Sequence, residues 1–404
     1  MQSLRYFNSP EMISIPTLYL NSTTIKMQSS RSSSISSLAP LDIIQKLPAL
    51  ILDPLPYSLK ISHLLQQVSS TGDTISYDDA TTCLDEVKTI ANTIIETLVE
   101  LMEVNIATAI FGSNAIEKVG TCERTTRQLC KQVFAGCIPD VTSVDIDDDE
   151  RRYLRDQGRE PSPSTILNSR SEVVQHALAM KYLMDQHIFL DQSLTEDILK
   201  DTHLILLKGS DHEDVGGIYR TSGEACVNTI RPETDAEYEG RCRKLRKYKP
   251  DRPLPPRQEV KEGSVFMRPG SVPIYMAQLI ENYNDDISKV NVSGTIDPCE
   301  LAAKYCALLV NIHPFEDGNG RLCRILMNTI LLKYLGTTVA IGLDAEDCAS
   351  YIDTQKESLK TFTKQDYVED IPVSQTTAHV KLGIDIADRA MRVLKKIKSE
   401  MGDS

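Results

Sequence analysis

Two apolar-periodic runs, LAAKYCALLVNI (301–312) and RLCRILMNTILLKYL (321–335), are separated only by HPFEDGNG. Their periodicity predicts two helices, so the chain between them must make a tight loop. Pro314 disfavours helical geometry in the residue before it, which ends the first helix at His313. Gly318 and Gly320 let the backbone turn sharply. The second helix then begins with free N–H groups pointing outward and its dipole behind them, an arrangement that attracts anions. Phosphate is the natural occupant of such a bend.

The side chains suit the same occupant. Arg321 and Arg324 lie on roughly one face of the first helical turn and can fork onto phosphate oxygens. Asp317 is a hard oxygen ligand of the kind Mg²⁺ takes together with phosphates and water. Asn319 can reach a phosphate oxygen through its amide. His313, with an ordinary pKa near ~6.5, is suited to taking a proton from a hydroxyl nucleophile. Phe315 offers an apolar ring to anchor the loop, and Glu316 is expected in solvent. Together these groups predict metal-assisted transfer of a phosphorus-centred group from a nucleotide to an alcohol.

The rest of the chain reads as mainly helical. Residues 1–40 are rich in Ser and Thr, contain Arg5, Lys26, Arg31 and one acid, Glu11, and are expected to be disordered or a targeting segment. Over 84–119, Val87, Ile90, Ile94, Ile95, Leu98, Leu101 and Met102 recur at helical steps. Further helices are expected at 123–133, at EVVQHALAMKYLM, at TEDILKDTHLILL, at VPIYMAQLIENYN, at 298–312 with Pro298 in the first turn, and near the C-terminus. The acidic patch Asp145–Glu150 and the stretch around Pro161 and Pro163 interrupt the periodicity and predict loop. In GGIYRTSGEACVNTI (216–230), Ser222-Gly223 between two β-prone runs signals a hairpin. The basic, proline-rich stretch Arg241–Arg257 reads either as a solvated insertion or as a docking patch for an acidic partner.

The pattern H-P-F-x-D-G-N-G-R-x-x-R, filled by His313, Pro314, Phe315, Asp317, Gly318, Asn319, Gly320, Arg321 and Arg324, resembles the signature of Fic domains. The resemblance spans about 195–370 and implies a Fic fold, a helical bundle with a small β-hairpin flap. On that basis the chain divides into 1–40, a helical region 41–194, a catalytic core 195–372 and a C-terminal helix 373–404. Fic enzymes typically transfer AMP from ATP to a Ser, Thr or Tyr hydroxyl of a target protein. The resemblance therefore implies ATP and Mg²⁺ as cofactors and a protein substrate as partner. It makes His313 the base and Asp317 the Mg²⁺ ligand. The Gly318–Gly320 amides with Asn319 and Arg321 would hold the phosphates, Arg324 the γ-phosphate. Tyr351 would border the adenine. Thr221, Ser222, Gly223 and Val227 would belong to a flap that aligns the target by strand addition, and a homodimer is expected.

SNAIEK (113–118) resembles the family's inhibitory motif, with Ser113 and Glu117 in place and Lys118 where Gly or Asn is usual. In the family this glutamate pairs with the second arginine, here Arg324, removing the γ-phosphate's partner. Gly or Asn would readily end the helix in a left-handed turn and lysine would not, so Gly120 is expected to supply the turn. In some relatives the same glutamate activates water to remove AMP, and the direction here stays open.

Two rivals remain. A Fic-like site can move another group, such as phosphate or phosphocholine. A helical adaptor could retain a vestigial pocket. The formal net charge of −13 argues against nucleic acid and anionic membranes as partners, and no run approaches the ~18 apolar residues of a membrane span. Ten cysteines without a C-x-x-C pair suit a reducing, cytoplasmic location, with the Arg/Ser-biased start leaving a mitochondrial one as the alternative. Cys122, Cys130 and Cys137 are expected in the core.

Overall fold

Side-chain caps decide where several helices begin. Asp147, Ser162, Thr195 and Asp297 each accept a hydrogen bond from the backbone N–H three residues on, at 2.8, 3.1, 3.2 and 2.9 Å, satisfying one of the donors that a helix start leaves free. The structure, a computed structural model, describes residues 46–52, 57–60, 81–82, 84–87, 95–142, 147–221, 226–232, 235, 238–239, 242–243, 246, 253–257, 259–367 and 369–402. The longer helices among them are α1 (Ile95–Ile116), α2 (Glu123–Phe134), α3 (Asp148–Asp156), α4 (Pro163–Met184), α5 (Glu196–Leu207), α6 (Val272–Ser293), α7 (Pro298–Ile312), α8 (Asn319–Leu335), α9 (Ala345–Tyr367) and α10 (Val380–Gly402). All described residues fall within the unit Asp42–Ser404. The expected targeting or disordered segment, 1–40, lies outside the described residues.

The fold is mainly α, as the periodicity requires, with two small β elements. Strands β1 (Ser58–Leu59) and β4 (Thr295–Ile296) pair in parallel, and β2 (Cys226–Pro232) and β3 (Glu259–Val265) pair antiparallel, from Cys226 opposite Val265 to Pro232 opposite Glu259. This second pair corrects the expected hairpin. Its strands are not joined at Ser222-Gly223, which lie outside the described residues. Their connection runs instead through 233–258 and so contains the basic stretch 241–257. Of that stretch, Cys242 is buried, against a wholly solvated insertion.

Other local expectations also shift. The acidic patch is not all loop: Asp147 caps α3, and Asp148, Asp149 and Glu150 fill its first turn, where negative charge meets the positive end of the helix dipole. Pro163 opens α4 at a position where its missing N–H costs nothing. Ile95 is 48% exposed despite sitting in the apolar stripe, while Leu98 and Met102 are buried. Cys122 and Cys130 are buried but Cys137 is exposed, because α2 has ended at Phe134 and Cys137 follows the left-handed Gly136.

The helix pair α7 and α8 sits in the core. Nearly every residue of α8 is buried, from Asn319 to Leu335 with Gly320 and Lys333 as partial exceptions, the mark of a helix covered on all sides. Helices α1, α4 and α5 pack on α8, and α10 packs on α7. Glu150 and Arg170, both fully buried, form a bidentate ion pair at 2.8 and 2.5 Å that ties α3 to α4.

Burial also keeps three histidines neutral: His187 and His203 are pushed down to about 4 and His176 well below its ordinary value, in each case chiefly by desolvation. Between pH 4 and 6.5 the unfolded chain therefore binds protons that the folded chain refuses, so stability rises with pH across that window. The expected slope is up to about 1.4 kcal/mol per pH unit for each histidine. Thermal melts between pH 4.5 and 7 should show the melting temperature falling with acidification, and a flat profile would contradict the neutral burial of these rings.

Candidate active site

The bend between α7 and α8 is built by local backbone geometry. His313 ends α7 in the left-handed region at φ 53°, and Gly318 turns the chain into α8 at φ 75°. Space at 318 is tight as well, since a Cβ there would stand 3.0 Å from His203 Nε2. Phe315 is fully buried, with its ring stacked on His203 at 3.7 Å between centroids. Asn319 closes the loop from within: its Oδ1 accepts from the Phe315 N–H at 2.9 Å, and its Nδ2 donates to the Phe315 carbonyl at 2.8 Å. The Asn319 amide, expected on a phosphate, thus bonds the loop's own backbone in this structure. The N–H groups of Asn319, Gly320 and Arg321 remain at the start of α8, where a helix has no internal acceptors to offer.

His313 stacks on Phe266 at 3.9 Å between centroids, and its Nδ1 lies 3.3 Å from the Val310 carbonyl. That contact requires the Nδ1–H tautomer and leaves Nε2 as the basic nitrogen. Burial pushes the imidazole down to about 4, with a smaller lift from the Val310 hydrogen bond, so the ring is neutral at physiological pH. Asp317 keeps 44% side-chain exposure, and its Oδ2 accepts from Arg321 at 2.8 Å. A half-exposed carboxylate beside a free helix N-terminus fits a single protein ligand to Mg²⁺. Glu316 is exposed, as expected.

Arg324 points the other way along the helix start. Its Nε donates to Ser113 Oγ at 2.8 Å, and its Nη2 donates to the Ser113 carbonyl at 2.9 Å and to Glu117 Oε1 at 2.7 Å. Only 3% of the side chain is exposed. Burial alone would weaken the cation, but the Glu117 carboxylate beside it holds the guanidinium above its ordinary range. The Tyr351 ring lies 5.5 Å from the guanidinium and is itself buried. Glu117 also crowds Gly320: a Cβ at 320 would collide with its Oε1. The two arginines expected on one anion are therefore each on a carboxylate, Arg321 on Asp317 and Arg324 on Glu117.

Glu117 follows the end of α1, and here the turn differs from expectation. Lys118 itself adopts the left-handed conformation at φ 55°, and Gly120 does so too at φ 75°. Of the residues expected in the flap, Thr221 is exposed and Val227 lies in β2 opposite Ser264; Ser222 and Gly223 are outside the described residues.

Three supporting residues escaped the sequence reading. Arg220 is buried, donates through Nε to the His313 carbonyl at 2.5 Å, and binds the Met267 carbonyl through Nη2, linking the bend to the residues after β3. Its backbone N–H donates to the Pro314 carbonyl at 2.9 Å. His203 accepts from the Gly217 N–H at 2.9 Å through Nδ1 and donates from Nε2 to the Asp317 carbonyl at 2.9 Å. His176 lies 2.8 Å from Asn114 Oδ1. Only Arg220 carried a signal, as the arginine of GGIYR. A lone histidine on an apolar helix face gives none.

The sequence model of the Fic/DOC family matches residues 193–331. Among curated relatives, proteins named "Protein adenylyltransferase Fic" from Drosophila willistoni and Drosophila melanogaster are 38% and 40% identical over 71 residues. In both cases the match is 18% of this chain and 13% of the relative. The crystal structure of a Fic domain containing signaling protein from Bacteroides thetaiotaomicron superposes with a TM-score of 0.52 at 17% identity, covering 81% of this chain and 98% of that one. The fold is therefore a Fic fold.

Asn319→Ala should cost about 1–3 kcal/mol, because it strands the buried N–H and C=O of Phe315. Denaturant unfolding measures it, and a loss under about 0.5 kcal/mol would refute the loop-closing role.

Proposed function

We propose, from the premise that residues 193–331 are a Fic domain, that this chain is a protein adenylyltransferase held in an off state by Glu117. The substrate hydroxyl is that of a Ser, Thr or Tyr on a target protein, and the AMP donor is ATP. His313 Nε2 takes the hydroxyl proton as the oxygen attacks the α-phosphorus. The bond from that phosphorus to the bridging oxygen breaks, and pyrophosphate leaves. The amides at the start of α8 with Arg321 hold the α- and β-phosphates, Arg324 takes the γ-phosphate, and Tyr351 borders the nucleotide behind it. Mg²⁺ on Asp317 would neutralise phosphate charge when bound. Strand β2, with Val227, offers a backbone edge on which a target segment can align.

The observation that carries this reading is the Glu117–Arg324 contact of 2.7 Å at the head of α8. A carboxylate there occupies the place and the guanidinium that a terminal phosphate would use. A second direction draws on the same residue. The Glu117 side chain is 37% exposed, so its carboxylate is open to water and can act as the base that hydrolyses AMP from a modified hydroxyl. The cysteine pattern suits a reducing compartment such as the cytoplasm, and the assembly we assign is a homodimer, which sedimentation velocity tests.

Glu117→Gly should raise ATP-dependent self-labelling at least about tenfold, the effect of removing an off state favoured by about 1.4 kcal/mol. Equal labelling in both proteins removes the brake. His313→Ala in that background should lower transfer about a hundredfold or more while ATP still binds. Mass spectrometry of the labelled product should show an added adenylate; an added phosphate would favour transfer of another group. Arg324→Ala in the Glu117→Gly background should weaken ATP binding about tenfold or more, read by calorimetry. Unchanged affinity contradicts its γ-phosphate role.

A further inference from the structure

Glu117 lies just past the end of α1, so the helix by itself does not hold it on Arg324. The turn that follows is tightened by backbone bonds from the Glu117 N–H to the Asn114 carbonyl at 3.1 Å, from Lys118 to Ala115 at 3.1 Å and from Val119 to Asn114 at 3.0 Å. It is also strained. Lys118 sits at φ 55°, a conformation that costs a residue with a Cβ and is nearly free for glycine. A turn carrying that penalty needs support from outside itself.

Support comes from α4 and the link before it. The Gly120 N–H donates to Glu172 Oε2 at 2.7 Å, and the Gly120 carbonyl accepts from Arg159 Nη1 at 3.1 Å. Arg159 and Glu172 are paired at 3.5 Å, each with about a fifth of its side chain exposed. Both backbone polar groups of one residue are thus gripped by the two members of one ion pair. Glycine suits position 120, which lies at φ 75° and where a Cβ would stand a tight 3.0 Å from the Asn114 side chain. Asn114 is in turn fixed to His176 on α4. We propose that Arg159 and Glu172 are positioning residues for the brake: by clamping Gly120 they hold the strained 117–120 turn and keep the Glu117 carboxylate on Arg324.

The inference rests on the inhibitory reading of Glu117. Releasing Gly120 lets Lys118 return to negative φ and draws the carboxylate away from Arg324 and Gly320. The head of α8 is then open to a triphosphate. The clamp itself is partly exposed and contributes no group to the proposed chemistry, so its loss changes only how often the brake is on.

The test uses the full chain and self-labelling from ATP labelled at the α-phosphorus, with a thermal melt for each variant. Glu172→Ala and Arg159→Ala should each raise labelling about threefold to tenfold, the span expected for losing one such hydrogen bond. Glu172→Gln keeps an acceptor for Gly120 and should give a smaller rise. In the Glu117→Gly background none of these changes should add labelling, because no brake remains to release. Lys118→Gly should return Glu172→Ala toward the parental level, since the turn then needs no clamp. If Glu117→Gly labels well while the clamp variants stay at the parental level, the clamp is refuted and the brake stands. If the clamp variants still add labelling to Glu117→Gly, they act by another route and the proposal is wrong. Should Glu117→Gly itself match the parent, the inhibitory reading fails and the clamp falls with it.

Discussion

A guanidinium buried in a helical core has to be answered by something. Arg324 is held by α8, a helix covered on nearly every side, so its side chain cannot swing out to water. An uncompensated buried charge costs several kcal/mol. In this structure the compensation is a serine hydroxyl, a backbone carbonyl and the Glu117 carboxylate. A terminal phosphate offers the same chemistry with more oxygens. On the function proposed here, a terminal phosphate and the Glu117 carboxylate compete for this guanidinium, and the choice between them rests on a short turn at the end of another helix.

The imidazoles around this centre act by staying uncharged. His203 bridges Gly217 to the Asp317 carbonyl in a pattern that one neutral tautomer satisfies, and its ring packs flat on Phe315. His176 fixes Asn114, and burial first, then the charges of Arg321 and Arg324, oppose protonation of its ring. His313 is the least buried of the three, and its contact with the Val310 carbonyl leaves Nε2 as the unprotonated nitrogen, the one assigned as base in the function proposed here. Burial thus keeps all three rings neutral, two of them in fixed hydrogen-bond networks.

Much of the bend was legible because its constraints are local. Proline after His313, glycines at 318 and 320 and an apolar residue at 315 act on their immediate neighbours. The contacts of Asn319 with Phe315 were not legible, because a side-chain amide is equally suited to a phosphate and to a backbone turn. The acidic run before α3 misled because aspartates break periodicity yet favour a helix start. Ser222-Gly223 misled in another way: a turn signal says nothing of which strand will pair, and β2 found its partner beyond a long connection.

Sequence alone determined the helical class and the tight bend between α7 and α8, since each follows from the backbone preferences of adjacent residues. It also placed Ser113 and Glu117 in a motif. Only the tertiary structure decided what those groups touch. The Glu117–Arg324 pair spans 207 positions, and Arg159 and Glu172 reach Gly120 across 39 and 52. Lys118 could take a left-handed turn, against its intrinsic preference, because packing on α4 compensates there for a local cost. Contacts between distant segments arise from how helices pack, and no spacing along the chain encodes them.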